Sequence, residues 1–139
     1  MIVDDIMSKS LLSVKCGDNL WAVKDIFDRT GVHHVLVIEN DLLTGVVSDR
    51  DYLKAISPKI DTVTETHKDA ETLNKKVEHI MTKDVISIKP GADVYDAIHI
   101  FNSNKISCIP VVDDENKPVG VVSWRDILLV VAKTRKKPN

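Results

Sequence analysis

The chain has 139 residues, 43% hydrophobic and 29% charged, with a formal net charge of −2. That length holds one domain or two small interdependent ones, and the slight acidity argues against a general binder of nucleic acid or anionic membrane. No signal peptide is read at the N-terminus, the longest apolar run (Ile127 to Ala132) is far too short to span a bilayer, and Cys16 and Cys108 suggest neither a staple nor a metal site, so the expected compartment is cytoplasmic.

In chain order, Val3 and Ile6 form a short apolar lead-in. Leu11 to Lys15 alternates in the manner of a strand. A turn at Cys16-Gly17 follows, and Asp18 is a candidate N-cap for a helix that places Leu20, Val23, Ile26 and Phe27 on one face. Gly31 is a plausible stop. Two strands, Val35–Ile38 and Val46–Ser48, flank a polar Glu-Asn-Asp turn, and a helix begins after Ser48. Residues 57–76 are polar and contain Ser57-Pro58. They are expected to be a connector that turns helical from Asp69 and leads into Val77 and Ile80.

The pattern then repeats. Val85 to Lys89 alternates, Pro90-Gly91 turns, and Asp93 is a candidate N-cap. Val94, Ala97, Ile98 and Phe101 share a helical face, and Asn104 is the candidate stop. Ile109–Val112 and Val119–Ser123 flank a second polar turn, and the last helix starts after Ser123. Residues 6–27 align with 80–101, and GVVSDRDYL (45–53) matches GVVSWRDIL (120–128) at seven of nine positions. The chain is therefore two copies of one β-α-β-β-α unit of about 54 residues. Neither copy buries much surface alone, so the two are expected to share a core. The expected division is repeat 1 at 1–56, connector at 57–76, repeat 2 at 77–133 and a basic tail at 134–139.

The doubled Gly-Val-Val-Ser-x-Arg-Asp carries the candidate chemistry. Ser followed three residues later by Asp at a helix start is a capping box, and a structural cap would be duplicated along with everything else. Arg50 and Arg125, however, stand in the first turn, where the helix dipole disfavours a cation. Two such arginines suggest a nearby anion. A hydroxyl, free backbone N–H groups and a guanidinium suit phosphate, while an aspartate suits the paired hydroxyls of a ribose. From the residues alone, the cap and the nucleotide site both remain open.

The chain closely resembles the CBS domain family, and in particular a tandem CBS pair. The resemblance rests on Ile6-Met7 and Ile80-Met81, on Cys108 to Asp113 before the second turn, and on the two Gly-Val-Val-Ser-x-x-Asp segments. It implies an α/β (α+β) fold of two β-α-β-β-α repeats packed with pseudo-two-fold symmetry. It also implies a non-catalytic regulatory module for an adenosine-containing ligand: AMP, ADP, ATP, NAD or S-adenosylmethionine. Carried over, Asp51 and Asp126 hold ribose, and Ser48 and Ser123 lie by the phosphate with Arg50 and Arg125 beside them. The resemblance places the sites in clefts between repeats, with Leu12 and Ile86 flanking the adenine together with Val35, Ile109, Val46 and Val121. Family members often carry a basic residue before the first hairpin strand. Here His33 and His34 stand in that place in repeat 1, against Ser107 and Cys108 in repeat 2. Repeat 1 has Leu36 where the family usually has proline, and repeat 2 has Pro110. Repeat 1 is thus expected to offer more phosphate contacts, and binding there to weaken as pH rises through the ordinary histidine value near 6.5.

No Cys-x-x-Cys or His-Glu-x-x-His occurs, and His67, His79 and His99 are scattered, so no metal and no catalytic role are expected. Asp49 and Asp51 read as a helix-start acidic pair rather than a cation site. Trp21 and Trp124 read as packing residues. The closing helix from Trp124 to Ala132 is apolar nearly all round, with a milder version at Tyr52, Leu53 and Ile56, which points to a homodimer through these helices. Two repeats and a connector nearly use up the chain, so the effector is expected to be a separate protein. The alternative reading is a ligand-free dimerisation and docking module whose Ser and Asp serve only as caps.

Overall fold

The structure is a computed structural model and describes residues 1–134; the basic run at 135–139 lies outside the described residues. It is a mixed helix-and-strand fold in two compact units. One comprises residues 12–85, the other residues 1–11 with the chain from 86 onward.

In the first unit, β1 (Ser13–Val14) runs parallel to β2 (His34–Glu39), and β2 pairs antiparallel with β3 (Leu42–Ser48). The hairpin turns on Asn40 and Asp41, both at positive φ (50° and 66°), as a two-residue turn between twisted strands requires. Between β1 and β2 lies α1 (Leu20–Thr30), and after β3 comes α2 (Asp49–Ala55). The cap of α1 is Asn19, whose side chain accepts from Trp21 N, and not Asp18. Asp18 instead accepts from Lys15 N at 2.8 Å and closes the preceding turn. Gly31 ends α1 in the left-handed conformation, its N–H donating to Phe27 O.

The expected connector is built into this unit. Residues His67–Ala70 form α3, capped by Thr66, and a 3-10 turn over Glu71–Asn74 follows. Leu73 in that turn is fully buried with Leu20, Val23, Val35, Val37 and Val77. Ser57 ties back to Asp69 (Oγ to Oδ1, 2.8 Å) and Trp21 Nε1 donates to Asn74 Oδ1 at 3.1 Å.

The second unit repeats the plan. α4 (Val94–Ser103) is capped by Asp93, which accepts from Tyr95 N. Asn104 sits in extended backbone, not the left-handed region, and stops the helix through its side chain, which donates to Ile100 O at 2.9 Å. β4 (Cys108–Val112) pairs antiparallel with β5 (Pro118–Ser123), and α5 (Trp124–Thr134) follows. The expected first strand is reduced to one parallel bridge between Ile88 and Val111. Val3, Ile88, Ala97, Ile109, Val111 and Val122 form the core.

The lead-ins are exchanged. Val3 and Ile6, which precede repeat 1 in sequence, pack into the unit of repeat 2, where Ser8 bridges Val121. Val77 and Ile80, which precede repeat 2, pack into the unit of repeat 1, where Thr82 bridges Val46. Each lead-in methionine lies against the glycine of a Gly-Val-Val-Ser strand: Met81 against Gly45, and Met7 against Gly120.

Candidate functional site

The antiparallel register fixes which residues meet at the open end of each hairpin. In the first unit, His34 pairs with Ser48, and His33 O accepts from Asp49 N at 2.8 Å. His33, His34, Ser48, Asp49, Arg50 and Asp51 therefore share one mouth. In the second unit, Cys108 pairs with Ser123, and Trp124 N donates to Ser107 O, which gathers Ser107, Cys108, Ser123, Trp124, Arg125 and Asp126.

Both capping boxes are closed. Asp51 N donates to Ser48 Oγ and Ser48 N to Asp51 Oδ2, each at 3.1 Å. Asp126 N donates to Ser123 Oγ at 3.3 Å and Ser123 N to Asp126 Oδ2 at 2.8 Å. The box uses Oδ2 in each case and leaves Oδ1 of both aspartates without a hydrogen bond among the described residues. Arg50 and Arg125 are exposed, and neither makes an ion pair or hydrogen bond among the described residues. A half-buried aspartate preceded in the first helical turn by an exposed arginine is thus present twice.

The apolar positions divide. Val46 and Val121 are half-buried beside Thr82 and Ser8. Val35 and Ile109 are fully buried in their cores and offer a ligand no side-chain surface. Leu12 is half-buried, its carbonyl accepting from Leu36 N at 3.0 Å, while Ile86 is exposed. Pro110 is buried, and its carbonyl accepts from Ile88 N.

The titrating groups are unlike in the two units. Burial pulls the His34 imidazole below its ordinary value, against the pull of Asp49. His33 Nδ1–H donates to Asp49 Oδ2 at 2.9 Å. In the second unit, burial pushes the Cys108 thiol up to about 12, with Asp126 adding to the shift, so a thiolate there is disfavoured. Trp124 stands edge-on to Phe101 with ring centroids 6.2 Å apart.

Sequence reasoning passed over Asp49, read only as part of an acidic helix start, and over Ser8 and Thr82. A signal for the latter two was present: Ile-Met-Ser-Lys and Ile-Met-Thr-Lys recur at 6–9 and 80–83.

The model of the CBS domain matches residues 3–58 and again 77–133. The chain belongs to the CBS domain family. Solved CBS pairs share its fold. The CBS domain pair of protein MJ0100, in complex with 5′-methylthioadenosine and S-adenosyl-L-methionine, superposes with a TM-score of 0.80 at 24% identity, covering 97% of this chain and 98% of that one. CBSX2 in complex with AMP gives 0.81 at 22% identity, covering 97% and 98%. Among curated relatives, inosine-5′-monophosphate dehydrogenase of Methanocaldococcus jannaschii is 30% identical over 137 residues, which is 98% of this CBS pair but 24% of that enzyme. The CBS pair spans less than half the length of several such relatives. Among the described residues, no helix is long and apolar enough to cross a membrane, and no group of three or more His, Cys, Asp or Glu could hold a metal ion.

Proposed function

We propose that this CBS pair is a non-catalytic regulatory module that binds an adenosine-containing ligand and signals its level to a partner protein. The observation that carries the reading is the doubled arrangement: among the described residues, each closed Ser-x-x-Asp box leaves one aspartate oxygen and one arginine unengaged. Asp51 and Asp126 hold ribose hydroxyls through Oδ1, the arginines face the 5′ group, and Ser48 and Ser123 orient the carboxylates. Neighbours in fold that are complexed with AMP, S-adenosylmethionine and 5′-methylthioadenosine support this ligand class.

Thermal unfolding tests it. A ligand at 100 times its dissociation constant stabilises by about 2.7 kcal/mol, a rise of roughly 5 to 10 °C for a domain this size. We expect that rise with at least one of AMP, ATP, NAD and S-adenosylmethionine, and its loss in the Asp51→Ala, Asp126→Ala double variant. A second reading has its own observation, because both boxes are complete without a ligand. No shift with any of the four favours this second reading, a ligand-free dimerisation and docking module in which Ser and Asp serve as caps.

The exposed faces support self-association. Trp124, Leu128, Leu129 and Val131 of α5 are each about half exposed or more, and no α5 residue is buried. In repeat 1, Tyr52 belongs to the core, edge-on to Phe27, so the matching surface there reduces to Leu53 with half-buried Ile56. Light scattering at micromolar concentration is expected to give twice the 15.5 kDa of one chain. A monomer mass that persists at higher concentration overturns the dimer.

A further inference from the structure

The two mouths differ at one position whose chemistry bears on the ligand. Asp49 opens α2 where Trp124 opens α5. At the first mouth, Asp49 sits within hydrogen-bond reach of His33, so the pair carries no net positive charge whether or not His33 is protonated. Arg50 is exposed and is the fixed cation of this mouth, against the two carboxylates Asp49 and Asp51. His34, the other basic group here, is held towards its neutral form by burial. The basic residues expected to receive phosphate are therefore offset by a carboxylate that repeat 2 lacks. The matching residues of the second mouth carry Arg125 and Asp126, with the neutral Trp124 in the place of Asp49.

We propose that Asp49 is a specificity-determining residue. The repeat 1 site prefers an adenosyl ligand whose 5′ group is neutral or cationic, such as a thioether or sulfonium, and the repeat 2 site accepts 5′-phosphates. This rests on the adenosyl-binding reading above. The physical cause is a like-charge interaction within one screening length of the 5′ group, which grows with each phosphate and fades with salt. It reverses the ranking that the histidines alone suggest.

Calorimetric titration of the full chain with 5′-methylthioadenosine and with ATP tests the assignment. In an Asp126→Ala background, which isolates the repeat 1 site, the thioether is expected to bind more tightly than ATP. Adding Asp49→Asn keeps an acceptor for His33 but removes the charge. It is expected to raise the ratio of ATP to thioether affinity about three- to tenfold at low salt, and less at 0.5 M salt. Should the Asp126→Ala chain fail to fold, Trp124→Asp in the otherwise native chain is the converse test, expected to lower the same ratio at the repeat 2 site. A ratio unmoved by Asp49→Asn, or by Trp124→Asp, overturns the specificity role while leaving the adenosyl reading intact. Absence of binding by both ligands in the native chain overturns the specificity assignment, and the adenosyl reading falls with it when AMP, NAD and S-adenosylmethionine also give no thermal shift.

Discussion

Leu73→Ala is expected to be among the most destabilising single changes in this protein, although Leu73 lies in a segment whose composition reads as a linker. The side chain is fully buried, with Leu20 and Val23 of α1 and Val77 of the following lead-in in the same cluster. Truncating a buried leucine loses its transfer free energy and leaves a cavity, a cost of about 2–5 kcal/mol. The midpoint of thermal unfolding should fall by on the order of 10 °C. The surrounding bonds give the cavity little room to collapse. Ser57 holds Asp69, Thr72 Oγ1 accepts from Ser57 N, and Lys75 Nζ donates to Ala55 O at 2.6 Å. Urea unfolding of the variant measures the loss. A change below about 1 kcal/mol, the scale of an ordinary surface substitution, would mean that residues 57–76 only tether the repeats.

Gly45→Ala is expected to cost about 1–3 kcal/mol through overpacking. Gly45 is not at positive φ, so its need for glycine is one of space. An added Cβ would stand 2.6 Å from Met81 Sδ and 3.0 Å from both Met81 Cγ and Thr82 O. The methionine can move; the Thr82 carbonyl is held by the Thr82–Val46 bridge and cannot move cheaply. A double-mutant cycle with Met81→Ala should therefore recover part of the loss and not all of it. Gly120 repeats the geometry with Met7 and Ser8 O in the other unit, and the same cost is expected there. Gly17→Ala is the control, since a Cβ there meets nothing within 4 Å. Full recovery in the cycle would assign the whole effect to the methionine and none to the carbonyl.

Both changes act on contacts that join distant parts of the chain, and this marks the limit of what could be read from residues alone. The β-α-β-β-α order was legible because helix and strand leave different local periods: Leu20, Val23, Ile26 and Phe27 against Val35 to Ile38. The capping boxes at Ser48 and Ser123 were legible for the same reason, as they span three residues. The cap of α1 was missed by one position because Asp18 and Asn19 are both good caps in isolation. The choice fell to Asn19 once Asp18 was engaged by Lys15 N. Leu73 was missed because one leucine among polar neighbours carries no period.

The duplication, the local elements and the Ser-x-x-Asp motifs with their arginines are legible in the residues, since each is written within a few positions or as a direct copy. The exchange of the lead-ins, the burial of Leu73 from the polar 57–76 segment in a core, and the contact of His33 with Asp49 emerge only in the folded chain. Those outcomes depend on long-range packing and strand register. Pairing His34 with Ser48 brings two short segments to one mouth, and a one-residue slip would send every side chain to the opposite face. The doubled Gly-Val-Val-Ser-x-Arg-Asp is thus one local motif placed in two different electrostatic settings.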